Sequence, residues 1–179
     1  MAFFPCIYFE SLQMTYYSFD AINLRKLTTE QKYANVIERV ENRSKFYLLL
    51  WKLFAICEQR GLRLILENPA TPPHYLLMTQ NFLKPTFIDN NRQTRGDYFK
   101  KPTAYWFVNI DRTYGESRQA PKEKKIIKQC KQGARAGLCS EERSLISPDY
   151  ARNFICDFIL GKEQENTLRQ LDLFSDNEL

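Results

Sequence analysis

The amino-acid sequence predicts an α/β fold with a partial doubly wound sheet, flanking helices and a disordered C-terminal tail. A long helical pattern over 28–60 is followed at once by the apolar run 62–66, which is the order of a βαβ unit. A separate apolar run opens the chain, and an aromatic run at 103–109 has strand composition. Strands that alternate with helical patterns in this way indicate a sheet with helices on its faces.

The first half of the chain supplies two strands and one long helix. Residues 2–7 predict a short buried strand, and 11–19 a short helix. The long helix begins at Thr28 or Thr29, which precede Glu and Gln in the order of a capping motif, and Gly61 closes it. Apolar residues at steps of three and four predict its buried face: Val36, Val40, Tyr47, Leu50, Phe54 and Cys57.

The second half continues the alternation. Ser147-Pro148 starts a helix that runs to Leu160, because proline favours the first helical position. Ala151, Ile155, Phe158 and Ile159 predict the apolar face of that helix. The other expected segments are a helix over 74–82, a strand over 85–89, the aromatic strand at 103–109, a basic insertion at 111–147 and a flexible tail at 161–179.

Composition sets the broad class of protein. The chain has 179 residues, which suffices for one domain with its own core, here 1–160. The net charge of +5 permits a polyanionic partner without requiring one. Five cysteines in no paired spacing argue against a disulfide framework or a zinc site, so a reduced, cytoplasmic protein without a metal or a membrane span is expected.

One thiol and one carboxyl group stand out for their chemistry. Cys6 follows Pro5 at the end of the first apolar run, and Glu67-Asn68 follows the apolar run 62–66. The C-terminal ends of strands in open α/β sheets are where ligands bind. A cysteine nucleophile beside an acid is a constellation for covalent catalysis.

The ordered set of motifs resembles the cytosine-5 DNA methyltransferase family, in its divergent phage and bacterial form. The matching residues are Pro5-Cys6, the triplet Glu67-Asn68-Pro69, the segment 101–106 (Lys-Pro-Thr-Ala-Tyr-Trp) and the segment 143–148 with its helix. The resemblance covers about residues 2–160. The order of these motifs along the chain carries the resemblance, rather than either short motif alone.

The resemblance implies a role for each matching residue. Cys6 would add as a thiolate to C6 of a cytosine that is flipped out of the duplex, and Glu67 would act as the acid at N3 of the base. Pro5, Asn68, Arg92 and Arg95 would contact or brace the substrate. The insertion 111–147 would take the place of the target-recognition region. Basic residues expected at the DNA are Lys100, Lys101, Lys122, Lys124, Lys125 and Lys128.

The methyl donor of the family is S-adenosylmethionine, which it seats on a Gly-rich loop. Nothing of that kind precedes Cys6 in this sequence, and the acidic residue that would hold the donor's ribose is also missing. The chain therefore resembles the catalytic, C-terminal part of such an enzyme, with most of the cofactor site not encoded in it. Three interpretations stay open: a truncated reading frame, one half of a split enzyme with a separate N-terminal half, or a remnant. Phe4 also replaces the usual proline before Pro5.

The tail carries a second motif. Gln170, Leu171, Leu173 and Phe174, with Asp172 between them, resemble the pentapeptide by which bacterial replication and repair proteins dock on the sliding clamp. Physically, this is a short extended peptide with apolar anchors for a groove. The sliding clamp is thus a second expected partner, beside DNA.

Plainer interpretations stay open for these residues. Cys6 could be a small buried hydrophobe, Glu67 an ion-paired carboxylate, and the basic insertion a solvated loop. His74, the only histidine, is expected at the surface or as a helix cap, and Trp51 and Trp106 in the core. The alternative function is a catalytically inactive remnant that only binds DNA or the clamp.

Overall fold

The central sheet consists of β1 (Ala2–Phe3), β2 (Leu64–Pro69), β3 (Phe87–Asp89) and β4 (Thr103–Val108), in the spatial order β1-β2-β4-β3. The computed structural model describes residues 2–3, 8–9, 17–71, 74–78, 81–113, 115, 117–123, 129–130, 137–138 and 144–161. The two short strands β5 (Gln129–Cys130) and β6 (Gly137–Leu138) pair with each other in antiparallel fashion, within the segment predicted to be an insertion.

The direction of the strands differs in part from the expected sheet. β2, β4 and β3 form a three-stranded antiparallel sheet, and β1 joins it by a parallel pairing with β2. The predicted mixture of helix and strand is confirmed, but the described residues do not form a doubly wound parallel sheet. The strand predicted over 2–7 is described only at Ala2–Phe3, and 4–7 lie outside the described residues.

Helix α1 (Thr29–Gln59) covers one face of the sheet. It begins as predicted, since Thr28 and Gln31 form a reciprocal capping box, and it is followed by Gly61 with a φ of 63°. Its C-terminal half supplies Leu50, Phe54 and Cys57 to a core that also contains Leu64, Leu66, Trp106 and Phe82.

The predicted buried stripe of α1 is wrong in its N-terminal part. Val40 is 40% exposed and Val36 is half-buried, whereas Leu50 and Phe54 are buried. The reason is length: 31 residues of helix extend over about 46 Å, and a six-residue strand spans only about 20 Å. Only the C-terminal half of α1 therefore has a sheet beneath it. Of the two tryptophans, Trp106 is in the core, and Trp51 is 37% exposed.

Helix α2 (Pro148–Ile155) covers the other face and continues into a π-helical turn over Cys156–Leu160. Ser147 caps it, with its hydroxyl accepting from the Tyr150 amide, and Pro148 occupies the first turn as predicted. Tyr150, Phe154 and Phe158 pack on Ile65 and Tyr105 of the sheet. The sheet thus has one helix on each face.

The predicted apolar face of this helix is right in its second half and wrong in its first. Phe158 is buried and Ile159 packs against the same cluster, whereas Ala151 and Ile155 are exposed. Four further residues of the helix and its π-helical turn are buried: Tyr150, Asn153, Phe154 and Asp157. The helix turns this face inward because its polar members find partners there, and a pattern of apolar residues alone cannot show this.

The helix expected over 74–82 is also wrong. A short 3-10 turn covers Tyr75–Leu77, and a further 3-10 turn at Arg92–Thr94 follows β3. The helix expected over 11–19 and the tail 162–179 lie outside the part of the chain that the structure describes. Within that part, none of the helices is both long enough and apolar enough for a membrane span.

Candidate active site at the end of β2

Glu67 lies near the C-terminal end of β2, at the centre of the sheet. Side chains alternate along a strand, so Glu67 shares the face of Ile65, beneath α2, whereas Asn68 points toward the α1 face. Only 7% of Glu67 is exposed. Phe3 of β1 is its direct neighbour in the parallel register. The predicted acid is therefore a buried carboxyl group beside the strand that leads to Pro5-Cys6.

The protonation of Glu67 is set by two opposing effects. Burial raises the pKa of Glu67 above its ordinary value of 4.5, and the positive charges of Lys101 and Arg92 oppose that rise. The Arg92 Nη1–Glu67 Oε1 distance is 4.0 Å, too long for a hydrogen bond. A carboxyl group in this setting can hold a proton for donation and is stabilised by two cations once the proton has left.

Arg92 is locked in place beside Glu67. Its Nη2 lies 2.5 Å from Asp97 Oδ2, its guanidinium stacks on Tyr150 at 4.5 Å, and it is 1% exposed. Asp97 also accepts from the amide of Ser147, which caps α2. The arginine predicted to contact substrate is thus held by α2, and it faces the predicted acid.

Arg95 does not join Glu67. It pairs with Asp89 at 3.1 Å and with Asp157 at 3.2 Å. The carboxylate of Asp157 also accepts from the amide and the hydroxyl of Ser117, which ties this residue of the predicted insertion to the π-helical turn after α2. The structure therefore assigns Arg95 to a buried ionic network rather than to the carboxyl group at the end of β2.

Two tyrosines complete this network. The hydroxyl of Tyr150 donates to Asp89 at 3.1 Å, and it lies 2.8 Å from the hydroxyl of Tyr105. Burial raises the pKa of both tyrosines, so both hydroxyls stay protonated and serve as hydrogen-bond donors. The network holds the end of β3, β4 and α2 in one arrangement around Arg92.

On the opposite face, Asn68 contacts His74. The Asn68 Oδ1–His74 Nε2 distance is 3.0 Å, and both residues are buried, at 0% and 1% exposure. The expectation that His74 lies at the surface is wrong; it does occupy the N-cap position of the 3-10 turn Tyr75–Leu77, but its side chain makes no capping hydrogen bond. Burial lowers the pKa of His74 to about 4, so the ring is neutral near pH 7. Because the carbonyl oxygen of Asn68 accepts, Nε2 carries the ring proton.

The chain just beyond Cys6 is anchored next to this pair. The Tyr75 amide donates to the Phe9 carbonyl at 2.7 Å, and Phe9 is fully buried. Tyr8 stacks on Phe46 of α1, and the Tyr17 hydroxyl donates to the Tyr8 carbonyl at 2.7 Å. Phe3 and Phe9 therefore fix the two ends of the segment that contains Pro5 and Cys6. Those two residues lie outside the described part of the chain.

The basic residues predicted at the DNA divide into three groups. Lys100 is exposed and Lys101 is half-buried near Glu67. Lys122 lies 2.8 Å from Asp149 and is thus paired within the protein. The remaining predicted residues fall among those that are not described: Lys124, Lys125, Lys128, and Gln170, Leu171, Leu173 and Phe174 of the clamp-like motif.

An open groove of about 660 Å³ lies next to the network, on the side of Arg95 and Ser117. Its lining runs over Thr94–Arg95 and 117–121, so it lies apart from Glu67. The groove is therefore separate from the buried acid and the two cations near it.

Sequence reasoning missed several residues of the site. Asp97, Asp157, Tyr150 and His74 are buried polar groups whose partners are mostly distant in the sequence. Only one sequence signal pointed toward them: Ser147-Pro148 predicted the start of α2. Tyr150 of this helix stacks on Arg92.

Comparisons with protein-family models, with curated proteins and with solved structures found no match to this chain.

Proposed function

We propose that the chain is the catalytic part of a DNA cytosine-5 methyltransferase, with Cys6 as the nucleophile and Glu67 as the acid. One observation carries the proposal: Phe3 lies opposite Glu67 in the parallel pairing of β1 and β2. Three peptide units separate Phe3 from Cys6, and they reach at most about 11 Å. The thiol therefore belongs to the chain that leaves the sheet beside the buried carboxyl group.

The chemistry of these two groups is complementary. The Cys6 thiolate forms a bond to C6 of cytosine. The π electrons of the C5–C6 double bond then form a C4–C5 double bond, and those of the C4–N3 double bond move onto N3. Glu67 donates its proton to N3, so the ring becomes a neutral enamine and the negative charge remains on the carboxylate. The enamine is nucleophilic at C5, which is the atom that this class of enzyme methylates.

The surroundings of Glu67 support that proton transfer. Burial raises its pKa and favours a carboxyl group that still holds its proton when a base arrives. Once the proton has moved to N3, Arg92 and Lys101 stabilise the carboxylate that is left. Arg92 is held rigidly by Asp97 and Tyr150, so this stabilisation requires no reorganisation.

The finer fold assignment is part of the proposal. A parallel β1–β2 pair with α1 on one face and α2 on the other is what a fragment of a methyltransferase-type doubly wound sheet would contain. In that view, the antiparallel β4 inserts between β2 and β3, and β1 lies at the opposite edge of the sheet from β3.

The glycines that the structure describes do not form a cradle for S-adenosylmethionine. The first glycine, Gly61, ends α1 instead of opening a helix, and an added Cβ there would meet nothing within 4 Å. A backbone that cradles a ligand needs glycine so that the ligand can approach closely. Gly61 instead provides the left-handed backbone conformation, with a φ of 63°, that follows the end of α1. We assign the donor's site to a separate N-terminal half and attribute no step of this chain's chemistry to the donor.

The alternative is a remnant that binds DNA or the clamp without chemistry. Among the described basic residues, Arg92, Arg95 and Lys122 have carboxylate partners within the protein. These pairs weaken the case for a purely electrostatic DNA-binding role. A buried acid placed beside the strand that leads to a cysteine is better explained by catalysis.

Hydrogen exchange at C5 of cytosine tests the proposal without a methyl donor. If Cys6 adds to C6, the enamine takes a deuteron from D₂O at C5. When the thiol then leaves C6, either hydrogen or deuterium leaves C5, and cytosines that keep deuterium accumulate. Mixed-sequence DNA duplexes incubated with the protein in D₂O should therefore gain one mass unit per exchanged cytosine.

Two cysteine variants make the exchange test specific. Cys6→Ser should abolish the exchange, whereas Cys156→Ser, which alters a half-buried cysteine of the π-helical turn, should keep the wild-type rate. Exchange that persists in Cys6→Ser, or no exchange in any variant, would favour the non-catalytic alternative.

A further inference from the structure

Helix α1 carries an apolar stripe on its exposed side. Its five large members are 37–59% exposed: Tyr33, Ile37, Val40, Leu48 and Trp51. The small exposed residues Ser44 and Ala55 complete the stripe. The members follow one another at steps of three or four residues, so they share one face of the helix over about 33 Å.

The stripe is large for an uncovered surface. At about 200 Å² for a fully exposed large side chain, its five large members leave roughly 500 Å² uncovered in one copy. Contiguous apolar patches of this area mark interaction sites, whereas single exposed apolar residues are normal. Two stripes packed together would bury about 1,000 Å², the lower limit for a specific interface, so the association should be weak and dilute protein monomeric.

The spacing of the stripe is symmetric about Ser44. Ile37 and Trp51 lie seven residues on either side of it, and Val40 and Leu48 lie four residues on either side. Two copies that meet in antiparallel fashion, with Ser44 on a two-fold axis, therefore place each stripe residue opposite another. The Ser44 hydroxyl donates to the Val40 carbonyl at 2.9 Å, so it can be buried there without an unmade hydrogen bond.

The charges beside the stripe favour the same arrangement. Glu38 and Glu41 are exposed on its N-terminal half, and Lys45 and Lys52 are exposed on its C-terminal half. In the antiparallel register, Glu41 of one copy comes within two residues of Lys45 in the other. Glu38 lies equally near Lys52. A parallel pair would instead place each of these charges beside its own copy, which is repulsive.

We propose that the exposed stripe of α1 binds the same stripe of a second copy, in an antiparallel two-fold dimer. Only the C-terminal half of α1 has the sheet beneath it, so the two sheets would lie toward opposite ends of the helix pair. Each sheet then stands beside the uncovered half of the other helix. The dimer is independent of the proposed chemistry, because the buried acid lies beneath α2 on the other face of the sheet.

Sedimentation equilibrium of the full chain, between about 1 and 200 µM, tests the dimer. We expect the mass to rise from one chain toward two as the concentration increases. Leu48→Lys puts a charge on the stripe and should raise the dissociation constant at least about tenfold. Leu49→Lys is the matched control, because Leu49 is 49% exposed but lies about 100° further around the helix. It should associate like the wild type.

Charge reversal tests the register. Glu41→Lys and Lys45→Glu each bring like charges together between two identical copies, so each variant alone should associate more weakly than the wild type. An equimolar mixture of the two should return close to the wild-type dissociation constant, because opposite charges again meet across the contact. Effects within one helix are the same alone and in the mixture, so the gain on mixing reports only the contact between copies.

Oxidative cross-linking tests the direction of the helices. Ser44→Cys should form a disulfide with its own copy, found by peptide mapping, whereas the two sites of Ala55→Cys would lie about 33 Å apart and should not. A disulfide between the two sites of Ala55→Cys, or no gain on mixing the charge variants, would overturn the antiparallel pairing. A wild-type chain that stays monomeric at about 200 µM, or equal dissociation constants for Leu48→Lys and Leu49→Lys, would overturn the dimer itself.

Discussion

Phe3 and Glu67 are register partners in the parallel pairing of β1 and β2. This places the exit of the first strand beside a carboxyl group that is buried, raised in pKa and 4.0 Å from a guanidinium. Cys6 is the only cysteine in the sequence that follows a proline, and it comes three residues after the end of β1. The two-residue strand β1 pairs with Leu66 and Glu67 of β2. The proposed chemistry depends on this neighbourhood.

Glu67→Gln tests the role of the acid. Glutamine keeps the shape of the side chain but has no proton to donate to N3, so C5 exchange should fall by about 100-fold or more. Thermal stability at pH 7 should hold or rise, because ionisation of the buried carboxyl group opposes folding. Glu58→Gln, at an exposed position of α1, is the matched control and should change neither quantity. If Glu67→Gln exchanged hydrogen at C5 of cytosine at the wild-type rate, Glu67 would not be the acid.

His74 should make stability depend on pH below neutrality. Its pKa is about 4 in the folded state against 6.5 in the unfolded state, so the unfolded chain binds more protons between these values. The contribution of neutral, buried His74 to the free energy of unfolding is fully present above pH 6.5. It is lost as the pH falls toward 4, by up to about 3 kcal/mol. Carboxylates titrate in the same range, so the measurement is the difference in urea-unfolding free energy between wild type and His74→Gln. A difference that does not vary between pH 7 and pH 4.5 would contradict a buried, neutral His74.

Arg92 should be a determinant of stability as well as of the site. Removing it leaves Asp97 buried without its cation, so Arg92→Ala should lower the free energy of unfolding by about 3–5 kcal/mol. Arg118→Ala, an exposed arginine on the rim of the groove, is the control and should change it by less than about 0.5 kcal/mol. Equal effects of the two variants would show that Arg92 is not locked as described.

The two halves of α1 should respond differently to truncation. Phe54→Ala opens a cavity in the core under the C-terminal half and should cost about 3–5 kcal/mol of unfolding free energy. Val40→Ala, on the part of α1 beyond the strands, should cost less than about 0.5 kcal/mol, since alanine is also the better helix former. Chemical denaturation of both variants measures the contrast. A large loss of unfolding free energy in Val40→Ala would mean that other parts of the protein pack on this half of α1.

Local signals in the sequence were sufficient for the helix starts. The capping box at Thr28 and the Ser147-Pro148 start are interactions between residues three positions apart or fewer, and both are observed. Strands were predicted at 62–66, 85–89 and 103–109 and are observed at 64–69, 87–89 and 103–108. The first of these strands runs three residues further than predicted, through Glu67 to Pro69, because it is paired with β4 over that length.

Tertiary features were not readable in the same way. The insertion of β4 between β2 and β3 depends on pairings across tens of residues, and composition does not specify strand direction. The burial of His74, Asn153 and Asp157 became favourable only because the fold brings hydrogen-bond partners to them. In the candidate site, the sequence identified Glu67 and Asn68 but not the side chains that hold Arg92 and Asn68.

A covalent adduct between Cys6 and DNA is the most direct measurement. A duplex that carries 2-pyrimidinone, a cytosine without its 4-amino group, presents a more electrophilic C6 and retains a thiol adduct without a methyl donor. We expect intact-mass detection of a protein–DNA adduct in wild type and Cys156→Ser, with peptide mapping to Cys6 and no adduct in Cys6→Ser. An adduct that maps to another cysteine, or none with the wild-type chain, would contradict the proposed nucleophile.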